Sequence, residues 1–111
     1  GRKPANRIHR DDIVRALLAI VERAPSGART YNLSDGHPLR VVELVDFLVE
    51  RLGLARPEEV DLAEYAARRG PNAVARWQNT YRCAHTRLVE ELGVEFRYPD
   101  AIAGYQAILE I

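Results

Sequence analysis

The sequence predicts a helix-rich α/β fold, with four to five helices and a few short strands, from three observations. Apolar residues recur at helical intervals in several windows, most clearly at Val41, Leu44, Val45, Leu48 and Leu52. Glycine or proline closes most of these windows, as at Pro25-Ser26-Gly27, Gly53 and Gly93. The β-branched and aromatic pieces between them are short and few, and isolated two-stranded pairs are marginal in water. They read as parts of a sheet whose remainder is missing, so the chain has the pattern of a fragment.

The first helix is expected over residues 11–23. Asp11 and Asp12 put carboxylates at its positive end, and Ile13, Leu17, Ile20 and Val21 fall on one face. Ahead of it, Arg7-Ile8-His9 is expected as a short strand. Thr30-Tyr31-Asn32-Leu33 reads as a second, ended by the turn Ser34-Asp35-Gly36. Pro38 suits the first turn of the second helix, and Gly53 supplies its stop.

The pattern weakens over residues 55–79. Pro57-Glu58-Glu59 is expected to open one helical turn, and Leu62-Ala63-Glu64-Tyr65-Ala66-Ala67 another, before Arg68-Arg69-Gly70-Pro71 interrupts it. Thr80-Tyr81-Arg82-Cys83 is expected to be extended. Thr86 then caps a short helix carrying Leu88, Val89 and Leu92 and closed by Gly93. After an extended piece at Val94-Glu95-Phe96, the last helix places Ile102, Tyr105, Ile108 and Leu109 on one side.

The chain of 111 residues is expected to form a single region with one core. Its composition, 47% hydrophobic and 29% charged, is too apolar for a disordered tail. Sixteen basic residues balance sixteen acidic ones, so no overall field favours nucleic acid or an anionic membrane, and neither is expected as a partner. The lone Cys83 has no internal disulfide partner, and no Cys/His cluster has zinc spacing. An intracellular, cytoplasmic location without a bound metal is the expectation. No apolar run approaches the roughly 18 to 20 residues that span a bilayer. A start at Gly1, in polar sequence and without methionine, suggests a cut, processed or designed terminus.

Asn6-Arg7-Ile8-His9-Arg10-Asp11-Asp12-Ile13, then Tyr31-Asn32-Leu33-Ser34-Asp35-Gly36, resemble the C-terminal half of extended short-chain dehydrogenases. Arg82 through Gly93, ending Glu91-Leu92-Gly93, looks like a third block of that family, and Tyr98-Pro99-Asp100 with Gly104 is similar to its ending. Order and spacing cover nearly the whole chain. The resemblance implies the C-terminal substrate-binding part of an NAD(P)-dependent epimerase, dehydratase or reductase, packed beside a Rossmann fold. It also implies that the strand around Tyr31 joins that fold's parallel sheet.

Two signatures of the family are missing from this chain. No glycine-rich turn follows a strand, so no backbone cradle for a pyrophosphate is offered, and no tyrosine has a lysine four residues later. The expectation is therefore a segment inactive alone, binding no cofactor itself. Its expected partners are the N-terminal Rossmann domain of the same protein, carrying NAD or NADP, and a sugar or nucleotide-sugar substrate.

The resemblance nominates contacts. Arg82 stands at the family's basic position before the short helix, and Arg68-Arg69-Gly70 is similar to a stretch near the diphosphate in some epimerases; bidentate arginines suit phosphate. Arg76 and Arg87 belong to the same basic group, and solvated, surface-paired arginines are the plainer alternative. His9 matches the family's histidine near the boundary of cofactor and substrate, against a plain role as a packed histidine. Trp77-Gln78-Asn79 offers a ring surface, although a single tryptophan is more often an anchor. His85 is a helix-entry residue, a pocket donor or neither. Asp12 fits a helix start better than a catalytic acid, Cys83 a buried filler, and Ser34-Asp35-Gly36-His37 a turn better than a nucleophile system. No catalytic residue is assigned. Where UDP-sugar epimerases often place an arginine, this chain has Ala5.

Two further accounts compete with the enzyme segment. A degenerate interaction module would use the apolar faces that relatives pack on the Rossmann part, with self-association as one outcome. A nucleic-acid module is opposed by neutral charge and by Glu58, Glu59, Asp61 and Glu64 among the arginines.

Overall fold

A computed structural model describes residues 2–110; Gly1, with the expectation attached to it, lies outside the described residues. In chain order the elements are β1 (Pro4–Ala5), α1 (Arg10–Arg23), β2 (Leu39–Arg40), α2 (Val41–Leu52), α3 (Leu62–Arg69), α4 (Pro71–Gln78), α5 (Thr86–Leu92) and α6 (Ala101–Leu109). The two strands pair antiparallel, with Pro4 opposite Arg40 and Ala5 opposite Leu39. The helix-rich α/β class therefore holds, with six helices and one small two-stranded sheet among the described residues in place of four to five helices and scattered strands.

Helix ends follow local chemistry. His9 caps α1 by accepting the Asp11 N–H on Nδ1 at 3.0 Å. The Glu43 carboxylate accepts the Arg40 N–H at 3.0 Å and starts α2. Asp61 and Asp100 cap α3 and α6 through the N–H groups of Glu64 and Ala103. Gly53 and Gly93 end α2 and α5 in the left-handed conformation, at φ 63° and 62°.

Four expectations about local structure are corrected. Pro38 precedes α2 without joining it, and Pro57-Glu58-Glu59 forms no helical turn. The segment 71–78 is a helix in its own right, because Pro71 at its start has no N–H to lose and presets φ. The strands expected at 7–9, 30–33, 80–83 and 94–96 carry no ladder, since a strand needs a neighbouring backbone and the flanking chain offers none there. Hydrogen bonding at β1 and β2 falls instead where the chain folds back on itself.

The core lies between α1 and α5. Ala16 and Ala19 meet Leu88, Leu92 and Val94, with Ile20, Tyr31, Leu33 and Phe96 packed around them. The α1 face expected to be buried is split: Ile20 packs against the core and Ile13 is half-buried, whereas Leu17 is 50% exposed and Val21 84%. Small alanines let α5 approach closely, and the larger residues of α1, with Val14 and Leu18, form a stripe open to solvent. No helix among the described residues is long and apolar enough to cross a membrane.

The whole is thin. It extends 49 × 34 × 16 Å, with a radius of gyration of 17.0 Å. A compact globule of this length would have about 13 Å. The chain is spread as a slab, and most of its large apolar side chains have a solvent-facing side.

Candidate functional site

Three segments distant in sequence converge in front of α1 and α5: residues 6–9, 34–37 and 81–85. Asn6 holds the third with both ends of its amide. Its Oδ1 accepts the Cys83 N–H at 2.7 Å, and its Nδ2 donates to the Tyr81 carbonyl at 3.0 Å. One side chain thereby imitates a strand neighbour for the backbone on either side of Arg82. Ser34 Oγ donates to the Cys83 carbonyl at 2.7 Å, and Nδ1 of His85 lies 3.0 Å from the Ser34 carbonyl. The Asp35 N–H donates to the Arg7 carbonyl at 2.7 Å and closes the group.

Asp12 braces this arrangement from behind. It is wholly buried, and its two carboxylate oxygens accept the N–H groups of Arg97 and Tyr98, each at 2.9 Å. The Tyr98 ring is thereby set 4.0 Å from the His9 ring, and the Arg97 guanidinium lies over the Tyr98 ring at 5.6 Å. Among the described residues every buried side-chain nitrogen and oxygen has a hydrogen-bond partner.

Asp35, also buried, takes the expected turn: its Oδ1 accepts the His37 N–H at 2.8 Å. Burial raises its pKa above the ordinary value and the Asp100 charge adds to that, while the bond from His37 opposes it. A shallow open cleft of about 400 Å³ lies beside it, between His37, Pro38 and Leu39 on one side and Asp100, Ala101 and Gln106 on the other.

The sequence-nominated contacts separate into two groups. Arg82 is exposed, its backbone gripped on both sides, and it makes no ion pair among the described residues. Arg69 is likewise exposed at the end of α3. Arg68 pairs with Glu64 and, at 3.9 Å, with Glu58, so its charge is committed to its own helix and loop. Arg87 donates to the Thr30 carbonyl and pairs with Glu91 at 3.5 Å. Trp77 is a packing residue, edge-on to Tyr65 with ring centres 6.2 Å apart, and joins α4 to α3.

His9 and His85 both make packing or capping contacts. His9 is the α1 cap, and His85 stacks on Phe96 at 4.9 Å beneath Gly36. Cys83 is half-buried with a free thiol, and Ser34 is spent on a carbonyl with no nucleophilic geometry. The sequence reading missed Asn6 and the inward role of Asp12. Asn6 acts on residues 75 and 77 positions away, beyond any local pattern. No three His, Cys, Asp or Glu side chains among the described residues gather as metal ligands.

No family model matches the chain, and no curated protein matches it. A solved structure does: a functionally unknown conserved protein from Silicibacter pomeroyi DSS is 31% identical, with a TM-score of 0.85. The match covers 97% of this chain and 37% of that one, so this chain spans little more than a third of the length of that protein.

Proposed function

We infer that this chain is the substrate-side part of an NAD(P)-dependent epimerase, dehydratase or reductase acting on a sugar or nucleotide-sugar, with the nicotinamide held by a Rossmann part outside these residues. The observation that carries the inference is the shape: a slab 16 Å thick with one face of α1 left apolar is a layer that needs a second layer. The sequence blocks that resemble extended short-chain dehydrogenases suggest what that layer is, and the solved structure that the chain matches is itself longer, with 37% of it covered.

In this proposal the chain moves no hydride. It positions the substrate, and Arg82 supplies a charge for phosphate or hydroxyl groups from a backbone that is already immobile, so little ordering is lost on binding. Arg69 is a second available cation; Arg68, paired to Glu64, is a weaker one. His9, His85 and Trp77 shape the site from behind through their packing and touch no substrate.

The test is turnover by the complete protein with a panel of sugars and nucleotide-sugars, followed by product analysis and by the near-ultraviolet absorbance of the nicotinamide. Arg82→Ala is expected to raise KM for a phosphorylated substrate about tenfold or more, as expected for a lost charge-assisted contact. Equal kinetics in the variant would remove Arg82 from the site, and no turnover across the panel would favour the second reading. That second reading, a non-catalytic interaction module, draws on the same open stripe of Val14, Leu17, Leu18 and Val21.

A further inference from the structure

We propose that α3 and α4 form one rigid arm that swings on the body of the protein between two unequal posts. Neither helix buries a residue. Each packs chiefly on the other, through the edge-on contact of Tyr65 with Trp77 and the tight reversal at Gly70, whose φ is 85°. The arm therefore has an internal structure and almost no seat among the described residues.

The chain leaves the body and returns to it differently. On the way out, residues 51–59 are all exposed, and they are tied to the body by Arg56, which pairs with Asp46 of α2, while its second pair, with Glu59 at 3.3 Å, stays within the segment. Such exposed pairs are weak and screened by salt. On the way back, residues 79–82 are exposed up to the point where Asn6 grips Tyr81 and Cys83, and Ser34 grips the Cys83 carbonyl. These bonds are uncharged, and the two at Cys83 are partly shielded from water. The Asn6–Ser34 clamp is the fixed post, and the Arg56 pairs are the releasable one.

Arg82 sits at the fixed post and Arg69 and Arg76 ride on the arm, so a swing changes the distance between cations. What the arm closes over rests on the functional proposal above. The motion does not, because it is read without cofactor or substrate, and the two can fail separately.

The experiment is pulsed electron paramagnetic resonance on the complete protein, with spin labels at Ala75→Cys on α4 and Glu50→Cys on α2 and with Cys83→Ala to remove the native thiol. A broad distance distribution is expected, broader still at high salt and in Arg56→Gln, because either releases one post. Asn6→Asp, which keeps the acceptor for Cys83 but loses the donor to Tyr81, is expected to broaden it further. Hydrogen exchange on the same protein is expected to show residues 62–78 exchanging together, at least tenfold faster than α1 and α5 yet still protected. A narrow distribution unmoved by salt and by Arg56→Gln would overturn the proposal. So would exchange of α3 at the rate of α1, which means a docked arm, or unprotected exchange, which means an unfolded one.

Discussion

Asp12 shows how one side chain serves two readings of the same position. As a carboxylate in the first turn of α1 it is legible from sequence, but both oxygens point away from the helix to the N–H groups of Arg97 and Tyr98. Asp12→Ala leaves both part-buried N–H groups without their acceptor, and is expected to cost about 1 to 3 kcal/mol of stability in thermal or urea unfolding. Gly36 is a second sensitive point. It has φ 77°, and an added Cβ would lie 2.6 Å from the His85 ring. Gly36→Ala is expected to destabilise by about 1 to 3 kcal/mol, and His85→Ala in the same protein to recover the steric part, as a double-mutant cycle would show.

Asp35 gives a pH prediction with a definite sign. Its folded pKa is raised, chiefly by burial, so its charge is a cost to the fold that is fully present above the raised value. As the pH falls through the raised value towards the ordinary one, the folded state takes up the proton first and this cost is relieved. Asp35→Asn keeps an acceptor for the His37 N–H and is expected to be at least as stable at neutral pH, with this component of the pH dependence gone. Denaturant midpoints at neutral and mildly acid pH check it; a large loss of stability at neutral pH would mean that the carboxylate charge is needed.

At the scale of elements, α1 and α6 were legible from apolar periodicity, and α2 and α5 also from their stops at Gly53 and Gly93. The cap expected at Thr86 is not one, since His85 precedes α5 and no side-chain cap bond forms there. The face that α1 buries was not. Periodicity identifies an apolar stripe, but Ala16 and Ala19 won the core because α5 needs close approach, and only the fold shows that. The strands failed for a related reason, since a ladder depends on a neighbour and not on the segment itself. Of the nominated site residues, Arg82 and Arg69 stand open to a ligand, whereas His9 and His85 bear chemistry by residue type but are occupied by a cap and a stack. Replacing Leu17 and Val21 by Glu is expected to leave this segment alone within about 0.5 kcal/mol of its stability, as at any exposed position. In the complete protein the same pair is expected to cost more than about 2 kcal/mol, because a covering layer would bury two carboxylates. Equal thermal stability of complete wild type and variant would mean that the stripe is uncovered.

The whole molecule is a layer, and its breadth and thinness follow from helices that pack side by side with little above or below them. In the functional proposal the chemistry belongs to a partner layer, and this chain adds Arg82, between the held backbones of Tyr81 and Cys83, and a hinged arm. The most direct measurement is a calorimetric titration of the complete polypeptide, and of residues 1–111 alone, with oxidised and reduced NAD and NADP. The account predicts saturable one-site binding of at least one of these by the complete polypeptide and no heat of binding with residues 1–111. Absence of binding by the complete polypeptide, or binding by residues 1–111 alone, would contradict it.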